Sequence, residues 1–132
     1  MATPITALWA GLLGLLMLFL ATRVVQLRAS QNIIFGDGGN AVMLQRIRVH
    51  GNFTEYVPMI LLLMLLLELN GASALLLHVL GGGLFVARLL HAFGLSQSTG
   101  TTFGRFVGAV ATFVLLLSAS VLAIYEFYAK AG

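Results

Sequence analysis

The chain of 132 residues has no cysteine, two prolines and one tryptophan, and only 8% of it is Asp, Glu, Lys or Arg. Without cysteine there is no disulfide framework, no thiolate metal site and no cysteine nucleophile, so any thiol in the chemistry must come from a ligand. His50, His78 and His91 do not stand in a metal-binding spacing with a carboxylate, and no metal site is expected. The net charge of +3 includes no basic run and no interleaved aromatic platform, which argues against nucleic acid as a partner. What is present in quantity is apolar. Sixty per cent of the residues are hydrophobic and the mean hydropathy is +1.03, outside the range of soluble domains, so the chain reads as an integral membrane protein with the lipid bilayer as its partner. At roughly 20 residues per crossing, there is room for four spans and no separate soluble domain.

The expected spans are residues 5–25, 41–69, 72–93 and 103–128, within a single transmembrane domain over 1–132. Residues 5–22 are uncharged, and Pro4 opens them where a missing backbone donor costs little. No basic residue precedes this run and further spans follow it, so it reads as a retained span and not a cleaved signal. The loop after it contains FGDGG, Phe35 to Gly39, but lacks the Lys-Ser/Thr that a phosphate loop requires. Asn70 and Gly71 form a tight turn that should make the second and third spans antiparallel neighbours. His78 reads as an interhelical hydrogen-bonding residue, and Gly81, Gly82 and Gly83 as a place where another backbone can come close. Glu126 and Lys130 stand i, i+4 and read as surface residues.

Polar residues enter hydrocarbon at QRIRVHGNFTEYVP, Gln45 to Pro58. Gln45, Arg48, Asn52, Glu55 and Tyr56 share one helical face, whereas Arg46 and His50 point elsewhere. Charges at that depth ordinarily face a bundle interior or a wet cavity. Glu55 needs a partner, and an arginine of another helix or subunit is favoured over Arg48, two turns away. A structural ion-pair network that fastens helices together is the competing role. Pro58 would bend the helix beside this stripe.

The arrangement Arg48, His50, Asn52, Glu55, Tyr56, Pro58 resembles the second transmembrane helix of the MAPEG family, the membrane-associated proteins in eicosanoid and glutathione metabolism. The resemblance implies an all-α, four-helix transmembrane bundle assembled as a homotrimer, with glutathione held between adjacent subunits. By it, Arg28, Arg48, His50, Asn52, Glu55, Tyr56 and Arg88 would bind glutathione, and Arg88 would also form a salt bridge with Glu55. Arg105 would support the thiolate, since a nearby cation lowers a thiol's pKa; the alternative role for Arg105 is a headgroup anchor. The implied activity is that of a glutathione transferase or peroxidase acting on a lipophilic small molecule. The chain departs from thiol-activating relatives at Leu95, where some have tyrosine, and in the Phe106 to Ala109 segment after Arg105.

Two other functions stay open at this stage. One is a non-enzymatic assembly protein with an architectural charge network. The other is a small multidrug transporter, although such proteins carry their glutamate in the first span, which here has none. Arginines flank the first and third connections and none flanks the turn at Asn70, which predicts those connections in the cytoplasm and both termini periplasmic. The short loops resemble the bacterial branch of the family, so the inner membrane is expected over the endoplasmic reticulum.

Overall fold

The computed structural model describes residues 2–94 and 102–132, and those residues form four helices and no strand. They are α1 (Pro4–Gln31), α2 (Ala41–Leu69), α3 (Ala74–Phe93) and α4 (Phe103–Ala131), each long and apolar enough to cross a membrane. The departure of Leu95 lies outside the described residues.

Local chemistry sets the helix ends. Asn40, Ser73 and Thr102 each cap a helix by accepting a hydrogen bond from the backbone N–H three residues on. Residue 72, expected in the third span, therefore precedes the cap of α3. α1 continues past residue 25 to Gln31, where Asn32 adopts a left-handed conformation at φ 53° and donates back to the Arg28 carbonyl. The α2–α3 turn uses Gly71 at φ +85°, a backbone shape that other residues rarely adopt. α2 runs unbroken through Pro58.

α1 has no side-chain cap of its own. Its first free N–H groups, of Ile5 and Thr6, donate instead to the Glu68 carboxylate at 3.1 and 2.8 Å. A negative charge there satisfies orphan donors and faces the positive end of the helix dipole. The start of α1 is thus tied to the end of α2, and the pair is antiparallel.

Other contacts complete the up-and-down order. Trp9 Nε1 donates to His78 Nδ1 at 3.2 Å, which sets the starts of α1 and α3 together. Lys130 donates to the Asn70 carbonyl and pairs with Glu126 at 3.1 Å, bringing the end of α4 to the α2–α3 turn. Each of α1 and α4 packs on both α2 and α3, and the described backbones of α1 and α4 do not come close to each other. α2 and α3 therefore form the shared middle of the bundle.

Apolar residues fill that middle in two clusters. One contains Leu13, Leu20, Phe53, Ile60 and Leu84; the other contains Met64, Leu67, Leu77, Leu80 and Ala119 nearer the Glu68 end. α4 buries mainly small residues, Gly104, Gly108, Thr112 and Ala119. Phe103, Phe106, Phe113, Leu117, Val121 and Ile124 are exposed along it. In water such a surface would be untenable, but against lipid or another membrane helix it is ordinary.

Candidate functional site

The chain has seven basic residues, and six of them, Arg23, Arg28, Arg46, Arg48, Arg88 and Arg105, lie toward the end of the bundle away from Glu68 and Lys130. Only two acids belong to that half, Asp37 in the connecting loop and Glu55 on α2. The Asp37 carboxylate accepts from the Gly39 N–H at 2.8 Å. A surplus of cations therefore gathers at one end.

Glu55 pairs with Arg48 on its own helix, Nη1 to Oε1 3.5 Å, with side chains 56% and 49% exposed. The expected Glu55–Arg88 bridge is not formed within the protomer. Two turns is within reach here because Gly51 lies between the partners, and a Cβ at Gly51 would stand 3.7 Å from Arg48 Nη1 and 4.0 Å from Glu55 Oε1. The pair crosses a helix surface that carries no side chain at that point. Asn52, half-buried beside it, has a buried Oδ1 with no hydrogen-bond partner among the described residues. Tyr56 packs edge-on against Phe113 of α4 with ring centroids 5.2 Å apart. His50 is half-buried on the same helix.

Arg88 is turned inward and is 1% exposed. Its guanidinium lies over the Phe53 ring at 5.7 Å, 3.1 Å from His91 Nδ1 and 3.5 Å from Thr112 Oγ1, with no carboxylate among these contacts. The charge is spread over an aromatic face and two neutral groups. This buried site is possible because α3 and α4 come unusually near each other. A Cβ at Gly108 would lie 2.5 Å from the Ala87 carbonyl oxygen and 2.6 Å from the His91 nitrogen. Gly104, Gly108 and Thr112, at steps of four, are the small residues that permit the approach. That spacing of small residues is the sequence signal of the contact.

Arg28 donates to the Gly36 carbonyl at 2.9 Å and, more weakly, to those of Ile33 and Ile34, bracing the α1–α2 loop. Arg105, half-buried at the start of α4, lies with Arg88 in electrostatic range of His91. Arg46 turns away from the Arg48 face, as its helical position predicts, and donates to the Arg23 carbonyl at 2.8 Å. The nominated residues thus separate into the exposed Arg48 and Glu55 on α2 with half-buried His50, Asn52 and Tyr56 near them, the buried Arg88, the loop-bracing Arg28 and the half-buried Arg105 at the start of α4. Among the described residues no group of His, Asp and Glu could hold a metal ion.

Four apolar helices with a cationic cluster at one end define an integral membrane protein with a polar site near one membrane face. The sequence profile of the MAPEG family matches residues 6–125, and the chain belongs to that family. It is 40% identical over 90 residues to the inner membrane protein YecN of Escherichia coli K12, and equally to YecN of Escherichia coli O6:H1 strain CFT073; the match covers 68% of this chain and 69% of each relative. No solved structure matches significantly. The protein is accordingly of the bacterial inner-membrane type.

Proposed function

We propose that this protein binds glutathione between the subunits of a homotrimer, near the cytoplasmic face, and uses it as a transferase or peroxidase toward lipophilic electrophiles. The observation that carries the reading is the Arg48–Glu55 pair, presented on the outside of the protomer with the half-buried Asn52 beside it. Lipid is a poor solvent for an ion pair, so this face suits a neighbouring subunit or a wet cleft. Glutathione carries carboxylates and an ammonium group, which Arg48 and Glu55 complement.

Arg105 stands at a matching level. α2 and α4 run parallel and meet at Tyr56 and Phe113, and Arg48 and Arg105 precede those rings by eight residues each, about 12 Å along each helix. A cation at that depth would stabilise the glutathione thiolate, whose sulfur then bonds to the electrophilic carbon as the leaving group departs. The alternative, a purely architectural charge network, is supported for Arg88, buried between α3 and α4, and for Arg28, which braces the α1–α2 loop.

The test is calorimetric titration of glutathione into detergent-purified protein, comparing the natural chain with Arg48→Ala, Glu55→Gln and Arg105→Ala at matched oligomeric mass. Saturable binding weakened about tenfold or more in Arg48→Ala, the loss expected of one charge-assisted contact, supports the site. Absence of heat up to millimolar glutathione overturns it. Arg105→Ala should spare binding more than it spares the thiolate absorbance of bound glutathione.

A further inference from the structure

A second polar feature lies within the protomer, where the last turns of α1 and α3 meet the first turns of α2. A recess of about 60 Å³ opens there, with Arg23, Gln45, Arg46 and Phe93 at its sides and Leu20 and Val49 among its lining. That is several times the roughly 10–15 Å³ that one water requires. Two arginines share this small space, and no acidic residue lines it among the described residues. The four acids are committed elsewhere. Asp37 accepts from its own loop and Glu55 pairs with Arg48, while Glu68 and Glu126 serve the opposite end of the bundle.

The arginines are also held in place. Arg46 Nη1 is fixed on the Arg23 carbonyl, while Arg46 Nε is buried with no hydrogen-bond partner among the described residues. Two cations that line one recess repel each other, and an oxyanion between them would relieve that repulsion.

The surroundings indicate which oxyanion. Arg23 follows Pro4 by 19 residues, roughly 28 Å of helix, which sets it at the boundary of a hydrocarbon layer about 30 Å thick. One turn deeper on the same face is Phe19, 49% exposed, with its ring 5.9 Å from that of Phe93, itself 42% exposed. The Arg23 guanidinium lies over the Phe93 ring at 5.7 Å. Cations at headgroup level above exposed aromatic rings match an amphiphile whose charge is a phosphate and whose remainder is acyl chain.

We propose that this recess, formed by Arg23 and Arg46 over Phe19 and Phe93, binds a phosphate group presented by an anionic lipid headgroup or by soluble phosphate. The site is separate from the outward face of α2 and does not depend on glutathione binding there.

Native mass spectrometry of protein from mixed phosphatidylglycerol and phosphatidylcholine micelles would test it, using the natural chain, Arg23→Gln, Arg46→Gln and, at the opposite end, Lys130→Gln. Preferential retention of phosphatidylglycerol, falling roughly fivefold for each recess arginine removed and unchanged in Lys130→Gln, supports a lipid phosphate. If retention shows no preference but inorganic phosphate binds in neutral detergent and is lost in Arg46→Gln, the source is a soluble phosphate. Indifference to both probes, or equal binding by the arginine variants, overturns the site. Arg46→Lys keeps the charge but not the fork, and should recover only part of the binding lost in Arg46→Gln. Glutathione titration of the same variants separates the two sites: unchanged affinity supports separate sites, and parallel loss overturns that separation.

Discussion

Gly108 has no room for a side chain. The atoms that a Cβ would meet are backbone atoms of Ala87 and His91, 2.5 to 2.9 Å away, and backbone cannot turn aside as a flexible side chain can. Gly108→Ala should therefore push α3 from α4 and lower stability by about 1–3 kcal/mol, the usual cost of overpacking. Gly11→Ala, where a Cβ meets nothing within 4 Å, should be neutral or slightly stabilising. Denaturant titration of both variants in one detergent checks the contrast, and equal midpoints would contradict it. The sequence suggested a close backbone approach at Gly81, Gly82 and Gly83, yet a Cβ at Gly81 would meet the Trp9 ring at 2.2 Å, and at Gly83 the Leu115 side chain. Small residues are legible in a sequence, but the face that receives a neighbour depends on helix rotation. In α3 that rotation gives Gly81 to a side chain of α1, while the close backbone contact occurs on α4.

The helices themselves were more legible than their contacts, because hydropathy and length are properties of each segment alone. The start of α2 at Ala41 and its end at Leu69, for example, follow from Asn40 and from the Asn70–Gly71 turn. Pairings between segments were harder. The family resemblance pairs Arg88 with Glu55, but burial against Phe53, His91 and Thr112 removes it from that face. Nothing in the spacing of Glu68 along α2 names its partner. In the structure it joins two elements, since both oxygens accept from the first turn of α1. Glu68→Gln keeps one good acceptor but loses the charge that opposes the helix dipole, which should cost about 0.5–2 kcal/mol. Amide exchange should accelerate in residues 5–8 and stay unchanged in α4. Uniform acceleration would instead mean that the loss is global and that the cap is not a local tie.

For the whole molecule the unresolved balance is on the outside of α2 and α4. The Arg48–Glu55 pair is about half exposed on a membrane-spanning helix, and α4 displays Phe106, Phe113 and Leu117 near the same end. The aromatic stripe could lie against lipid without penalty, but the ion pair could not, because hydrocarbon offers it no hydrogen bonds. Assembly through this face would cover the pair and leave the opposite face of α1, with Leu8, Leu15 and Leu18, for lipid. The motif that carries the family resemblance names the candidate residues, whereas the number of chains needed to enclose them is not encoded in any one helix's periodicity. If the pair is enclosed between subunits, light scattering should give about three times the 14.1 kDa chain mass after correction for detergent. Glu55→Leu alone would strand Arg48 in the interface and weaken assembly by about 3–5 kcal/mol. The double variant Arg48→Leu with Glu55→Leu removes both charges, so it should reassemble better than the single one. A monomer at every concentration, or a double variant no better than Glu55→Leu, would mean that the pair faces water or headgroups and that α2 is not the seam.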